Sequence, residues 1–226
     1  MNNADIGLFR FDYDNTWMAF VMTHDRQMVT RYGGRDDRDP EGRVSLSGLT
    51  HTLELALKHL PEPRKGDFPS HKALRPKDLF ATKGKGCMHC HHVWEGLRRE
   101  AIKADRLTPA LINPYPLPEN IGLTLDVTRG EKVLKVKPGS AADRAGVKPD
   151  DRLLRAGDLA VYSQFDLRTA LHDLPATARL PLVLDRAGRE EKVELELAEG
   201  WRTWDQRWRV SRSREKRELD RQKKKK

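Results

Sequence analysis

The sequence predicts an α+β chain assembled from several small units. Three observations point there. Hydrophobic residues make up 37% and charged residues 34% of the 226, which leaves too little apolar material for one large interior. Short strands separated by turn signals recur through residues 119–198. A strand pair with one amphipathic helix stands apart from them in residues 16–60, across a Pro- and Lys-rich stretch. The boundaries that follow are 1–60, 61–118, 119–200 and 201–226.

In the first unit TWMAFVM (16–22) is a nearly continuous apolar run, THDRQ a turn, and MVTRYGG (28–34) a second strand ending at paired glycines. This pattern predicts a hairpin. Beyond the charged loop RDDRDPEGR, Leu46, Leu49, Leu53, Ala56, Leu57 and Leu60 fall at helical spacing, and Ser45 or Ser47 can cap the start. The leucine face is expected to pack back on the strands. A hairpin with one helix is marginal alone, so further sheet is expected upstream.

Residues 61–118 read as a bridge. PEPRKGDFPSHKALRPKD has linker composition, HHVWEGLRREAIKADRL carries Trp94, Leu97, Ala101 and Ile102 at helical spacing, and TPALINPYPLPEN is Pro-punctuated. Both cysteines of the chain lie just ahead of that helix in GKGCMHCHHVWEG, residues 84–96. Cys87, Cys90 and His91 have the spacing of c-type haem attachment: two thiols for the two vinyl groups, then an imidazole for iron. No Met follows Met88. A distal ligand must be a His such as His92, His71 or His59, an upstream Met, or absent. Zinc held by Cys87, Cys90 and two of His89, His91 and His92 is an alternative, although no second ligand knuckle occurs. A redox-active thiol pair at a helix amino terminus is another, and an incidental pair a fourth.

The third unit reads strand IGLTLDV, strand KVLKVK, short helix AADRAG, a strand within VKPDDRLLRAGDLAV, helix SQFDLRTALHDL, and strands RLPLVLDR and KVELELA. Val193, Leu195 and Leu197 alternate strictly with Lys192, Glu194 and Glu196. The tail places Trp201, Trp204 and Trp208 on one helical face. From Arg207 onward it has eleven Lys or Arg against three acids, which accounts for much of the +9 net charge. A solvated terminus, with Trp201 and Trp204 closing the preceding core, is favoured over contact with membrane or nucleic acid. No phosphate loop, nucleophile elbow, HExxH motif or paired carboxylates occur, so a non-enzymatic role is expected.

Two stretches carry family resemblance. FDYDNTWMAF followed by RYGGRD and the leucine helix resembles the carboxy-terminal half of a thioredoxin-like domain, as found in bacterial proteins that join such a domain, a CxxCH segment and a PDZ domain. The redox CxxC of such a domain would precede this stretch, so thioredoxin chemistry is not assigned. PGSAADRAGVKPDDRLL resembles the bacterial-type PDZ domain, a small β-barrel with two helices; RAGDLAVYS departs from its usual Asn-Gly turn. The resemblance implies a groove for peptide C-termini, with Ile121, Gly122 and Leu123 at the carboxylate loop and Gln164, Arg168 and Leu171 along the facing helix. Arg168 would favour an acidic ligand residue. The function implied is a redox-associated adaptor with haem c, docking peptide C-termini and meeting a redox partner. The alternatives are a pure interaction scaffold, with CMHCH binding zinc or nothing, and a thiol-disulfide oxidoreductase using Cys87 and Cys90. Covalent haem implies an extracytoplasmic location if the start is truncated; a chain complete as given would be cytoplasmic.

Overall fold

The computed structural model describes residues 1–36, 39–60, 72–80 and 88–212. Helices and strands occur in comparable shares, 28% and 23%, as an α+β chain requires. Strands β1 (Met18–Met22) and β2 (Met28–Gly33) form the antiparallel hairpin, opening with Met18 opposite Gly33. Phe20 packs edge-on against Phe9 and Phe11, which fastens the amino-terminal segment to the hairpin.

Helix α1 (Leu46–Lys58) begins at Ser45, whose side chain accepts the Gly48 N–H at 3.0 Å. Its inward residues are Gly48, Thr52 and Ala56, one turn apart. A Cβ on Gly48 would lie 2.3 Å from the Val127 carbonyl oxygen and 2.6 Å from the Tyr32 hydroxyl, so only glycine permits this approach. Thr52 donates to the Tyr162 carbonyl at 3.2 Å, and His51 meets Glu131 at 2.9 Å. The expectation that the leucine face packs inward is therefore corrected. Leu46 is 81% and Leu57 69% exposed, and Leu53 and Leu60 are exposed as well.

The bridge contains helices α2 (Pro76–Leu79), α3 (His91–Lys103) and α4 (Pro109–Ile112); residues 61–71 and 81–87 lie outside the described residues. α3 turns Val93, Trp94, Gly96 and Arg98 inward. Val93 and Trp94 join Ile6, Tyr13, Tyr115 and Phe165 in one buried cluster. Val93, Trp94 and Tyr115 of the bridge are thus part of a core, which its proline content conceals.

After a 3-10 turn (Pro118–Ile121) come β3 (Leu123–Leu125), β4 (Val133–Val136), α5 (Ala141–Arg144), β5 (Arg152–Ala156), β6 (Leu159–Ala160), α6 (Gln164–His172), β7 (Ala178–Arg186) and β8 (Arg189–Leu197). β3 pairs with β4, and the remaining strands run in the order β6-β5-β7-β8. The expected small barrel is not closed among the described residues; one bridge, Lys132 to Arg152, joins the two sheets. β7 and β8 are paired along their whole length, so Leu180, Leu182 and Leu184 share a face with Leu195 and Leu197. Those five residues lie in a single core with Leu153, Leu167 and Leu171.

α6 starts with a capping box: the Ser163 hydroxyl accepts backbone N–H groups and Asp166 reaches back to the Ser163 N–H at 3.0 Å. Asp166 also accepts the Thr30 hydroxyl at 2.6 Å and the Arg31 N–H at 3.2 Å, binding the edge of β2 to the helix start. Beyond β8 the helical tryptophan face does not form. Residues 201–208 are turns and irregular backbone. Trp201 packs on the core and donates to the Pro175 carbonyl at 3.1 Å, while the Arg209 guanidinium lies over both Trp204 and Trp208. The basic end, 213–226, is outside the described residues.

Candidate functional site

Two places gather the residues that the sequence singles out. The first is the start of α3. Cys90 occupies the cap position in helical conformation, so the chain is already turning when His91 begins the helix. His91 and Glu95 are one turn apart, and His91 Nδ1 lies 3.2 Å from Glu95 Oε1. The neighbouring His92 accepts the His89 backbone N–H on Nδ1 at 3.2 Å. The three imidazoles form a cluster: His91 and His92 centroids are 4.3 Å apart, His89 and His92 5.5 Å, His89 and His91 5.8 Å. Ligand atoms of His91, His92 and Glu95 all lie within 4.8 Å of one another, and each residue is half-buried.

With Met88, Cys90 packs against the cluster of Ile6, Tyr13, Val93 and Trp94. Cys87 and His71 lie outside the described residues. His59 caps α1 and stacks on Tyr162 at 6.0 Å. For a haem the donor chemistry fits: a carboxylate on Nδ1 of His91 would restrain a ligating imidazole.

The second place is the region of the turn before β3, β3 itself and α6, where the expected groove residues lie. Ile121 and Leu123 are buried, and Gly122 between them has φ +91°. A Cβ there would fall 2.0 Å from Ser140 Oγ. Gly122 is thus required by the packing of Ser140, whatever approaches from outside. Among the described strands β3 has one neighbour, β4. Gln164 donates from Nε2 to the Asp126 carbonyl at 3.1 Å, and its Oε1 accepts Arg43 at 3.3 Å. Arg43 also meets Glu119 at 3.0 Å and Asp36 at 3.1 Å, so one guanidinium bridges the turn before β3 and the helix facing it.

Arg168 is only 1% exposed. It donates to the Tyr115 carbonyl at 3.2 and 3.0 Å and pairs with Asp12 at 3.1 Å. The acid that Arg168 was expected to seek in a ligand is supplied by the chain itself. Leu171 is fully buried in the carboxy-terminal core. Of the groove-wall residues, none presents a free side chain to solvent: eight of the nine residues of α6 are buried.

Sequence reading missed the network behind this. Arg209 meets Asp12 at 2.6 and 2.7 Å and Asp14 at 3.2 Å, and Ser211 donates to Asp14 at 2.7 Å. Burial would raise the Asp12 pKa, but Arg209 and then Arg168 outweigh it and hold the carboxyl below its ordinary value. The partners lie more than 150 positions apart, so no local pattern announces them. Glu95 is different: its i+4 spacing from His91 was readable.

No helix among the described residues is long and apolar enough to cross a membrane. No protein-family model and no curated protein matches the chain. Among solved structures it is similar to a serine endoprotease from Yersinia pestis, at 27% identity and a TM-score of 0.31. That similarity covers 35% of this chain, which spans 28% of the endoprotease's length.

Proposed function

We propose that the chain is a non-catalytic, redox-associated adaptor that carries a haem attached through Cys87 and Cys90, with His91 as the iron ligand. The observation that carries this reading is the contact of His91 Nδ1 with Glu95 Oε1, in register with the CxxCH spacing. A bound haem would supply one-electron transfer. The chain's own residues would hold and orient it: the α3 backbone places Cys90 next to His91, Glu95 would restrain the imidazole, and the cluster around Trp94 would back the attachment point. Protein matured in a host with haem-attachment machinery is expected to show a Soret band that survives acid-acetone extraction and is lost in Cys90→Ser. Colourless wild-type protein would refute the haem.

The carboxy-terminal unit supports the docking half of the adaptor. Its order of capped short helix, strand pair, long helix and closing hairpin resembles a PDZ domain, and β3 keeps one edge without a strand neighbour among the described residues. Arg43 links the turn before β3 to α6. Peptide entry therefore requires Arg43 to release Glu119 and Gln164. Arg43→Ala is expected to strengthen binding of peptides with a free C-terminus and to leave amidated peptides weak; equal binding of both would count against carboxylate capture.

A further inference from the structure

We propose that, in the chain before haem is attached, His91, His92 and Glu95 form a site for one divalent transition-metal ion of borderline softness, with Zn2+ as the representative; this site is independent of the thiols of Cys87 and Cys90 and exclusive with iron ligation by His91. Two imidazoles and one carboxylate are the donor set such ions take. Their ligand atoms already lie within 4.8 Å of one another. Tetrahedral zinc with bonds of about 2.0–2.1 Å needs ligand separations of about 3.3 Å, a closure within reach of side-chain rotation at half-buried positions.

The helix backbone sets most of this geometry in advance. His91 and Glu95 are one turn apart and in contact at 3.2 Å, and the His92 ring lies 4.3 Å from that of His91. Ligation through His92 Nδ1 requires it to release the His89 N–H. The helix dipole opposes a cation at its amino end, and the Glu95 carboxylate supplies the compensating charge. Cys90 packs into the cluster of Tyr13 and Trp94, and it does not belong to the His-Glu group. Among the described residues the donors number three, the count that zinc sites with an exchangeable position use.

The test uses the full-length chain with Cys87→Ser and Cys90→Ser combined, which removes haem attachment and thiolate ligands together. Calorimetric titration with Zn2+ alone is expected to show one ion bound per chain. Glu95→Gln or His92→Ala in that background should weaken binding by at least about tenfold, with an unchanged thermal melt as the folding control. Loss of Zn2+ binding in the double-serine protein overturns the proposal, as does undiminished binding in Glu95→Gln. Because no haem can attach to this variant, the result is separate from the spectroscopic test of haem.

Discussion

Helices α1 and α6 look alike as amphipathic sequences and are used in opposite ways. α1 turns Gly48, Thr52 and Ala56 inward and leaves Leu46, Leu53 and Leu57 exposed. α6 buries Leu167 and Leu171 in the carboxy-terminal core and Gln164, Asp166 and Arg168 against polar partners. The difference lies in what each helix meets. α1 approaches a backbone carbonyl at Val127 and the Tyr32 hydroxyl, where only small side chains fit. α6 is surrounded by the carboxy-terminal core, the β2 edge and the Asp12 network, each of which satisfies a different kind of group. A helical stripe reveals that a face is apolar; the neighbours decide whether it is covered.

The comparison breaks most readily at the polar side of α6. Asp12→Ala leaves Arg168 and Arg209 buried without their shared carboxylate, and should destabilise the chain by about 3–5 kcal/mol in urea unfolding. A loss below about 1 kcal/mol would mean that α6 is not held by this pair. Next in size is the tight side of α1. Gly48→Leu drives a side chain into the Val127 carbonyl and should cost about 1–3 kcal/mol; an unchanged unfolding midpoint would show that α1 can lift away.

The end of α6 offers a pH test. His172 accepts the Tyr115 N–H on Nδ1 at 3.2 Å and stacks on its ring at 4.0 Å. Burial lowers its pKa from 6.5 to about 4. Below pH 6.5 the unfolded chain takes a proton that the folded chain refuses, so the stability present above that pH is lost as it falls towards about 4. His172→Phe should flatten stability measured across this window, and an unaltered slope would exclude His172 as its source. The smallest effect is expected on the outer face of α1: Leu57, 69% exposed, should tolerate Gln within about 0.5 kcal/mol in the same urea assay. A much larger loss would show that the leucine face is covered in solution.

Legibility followed range. The β1–β2 hairpin, the Ser45 cap and the β7–β8 alternation are local patterns, and they stand in the structure where the residues imply them. The bridge misled, because prolines that read as linker frame a buried α3 and the aromatic cluster of Tyr13, Trp94 and Tyr115. The tryptophan tail misled too: its helical spacing was overridden when Arg209 found Asp12 and drew Trp204 and Trp208 around itself. At the candidate site the CxxCH motif was plain, as was the Glu95 spacing in retrospect, whereas the engagement of Arg168 and Gln164 by the chain's own Asp12 and Arg43 was not.

By itself the sequence determined the elements, their caps and the cluster of sulfur and imidazole donors, since each depends on residues within a turn or two of one another. The tertiary structure alone decided which helix faces are covered and which charges are neutralised. Packing distance and desolvation act between positions far apart in the chain, and no spacing within a segment encodes its eventual neighbour.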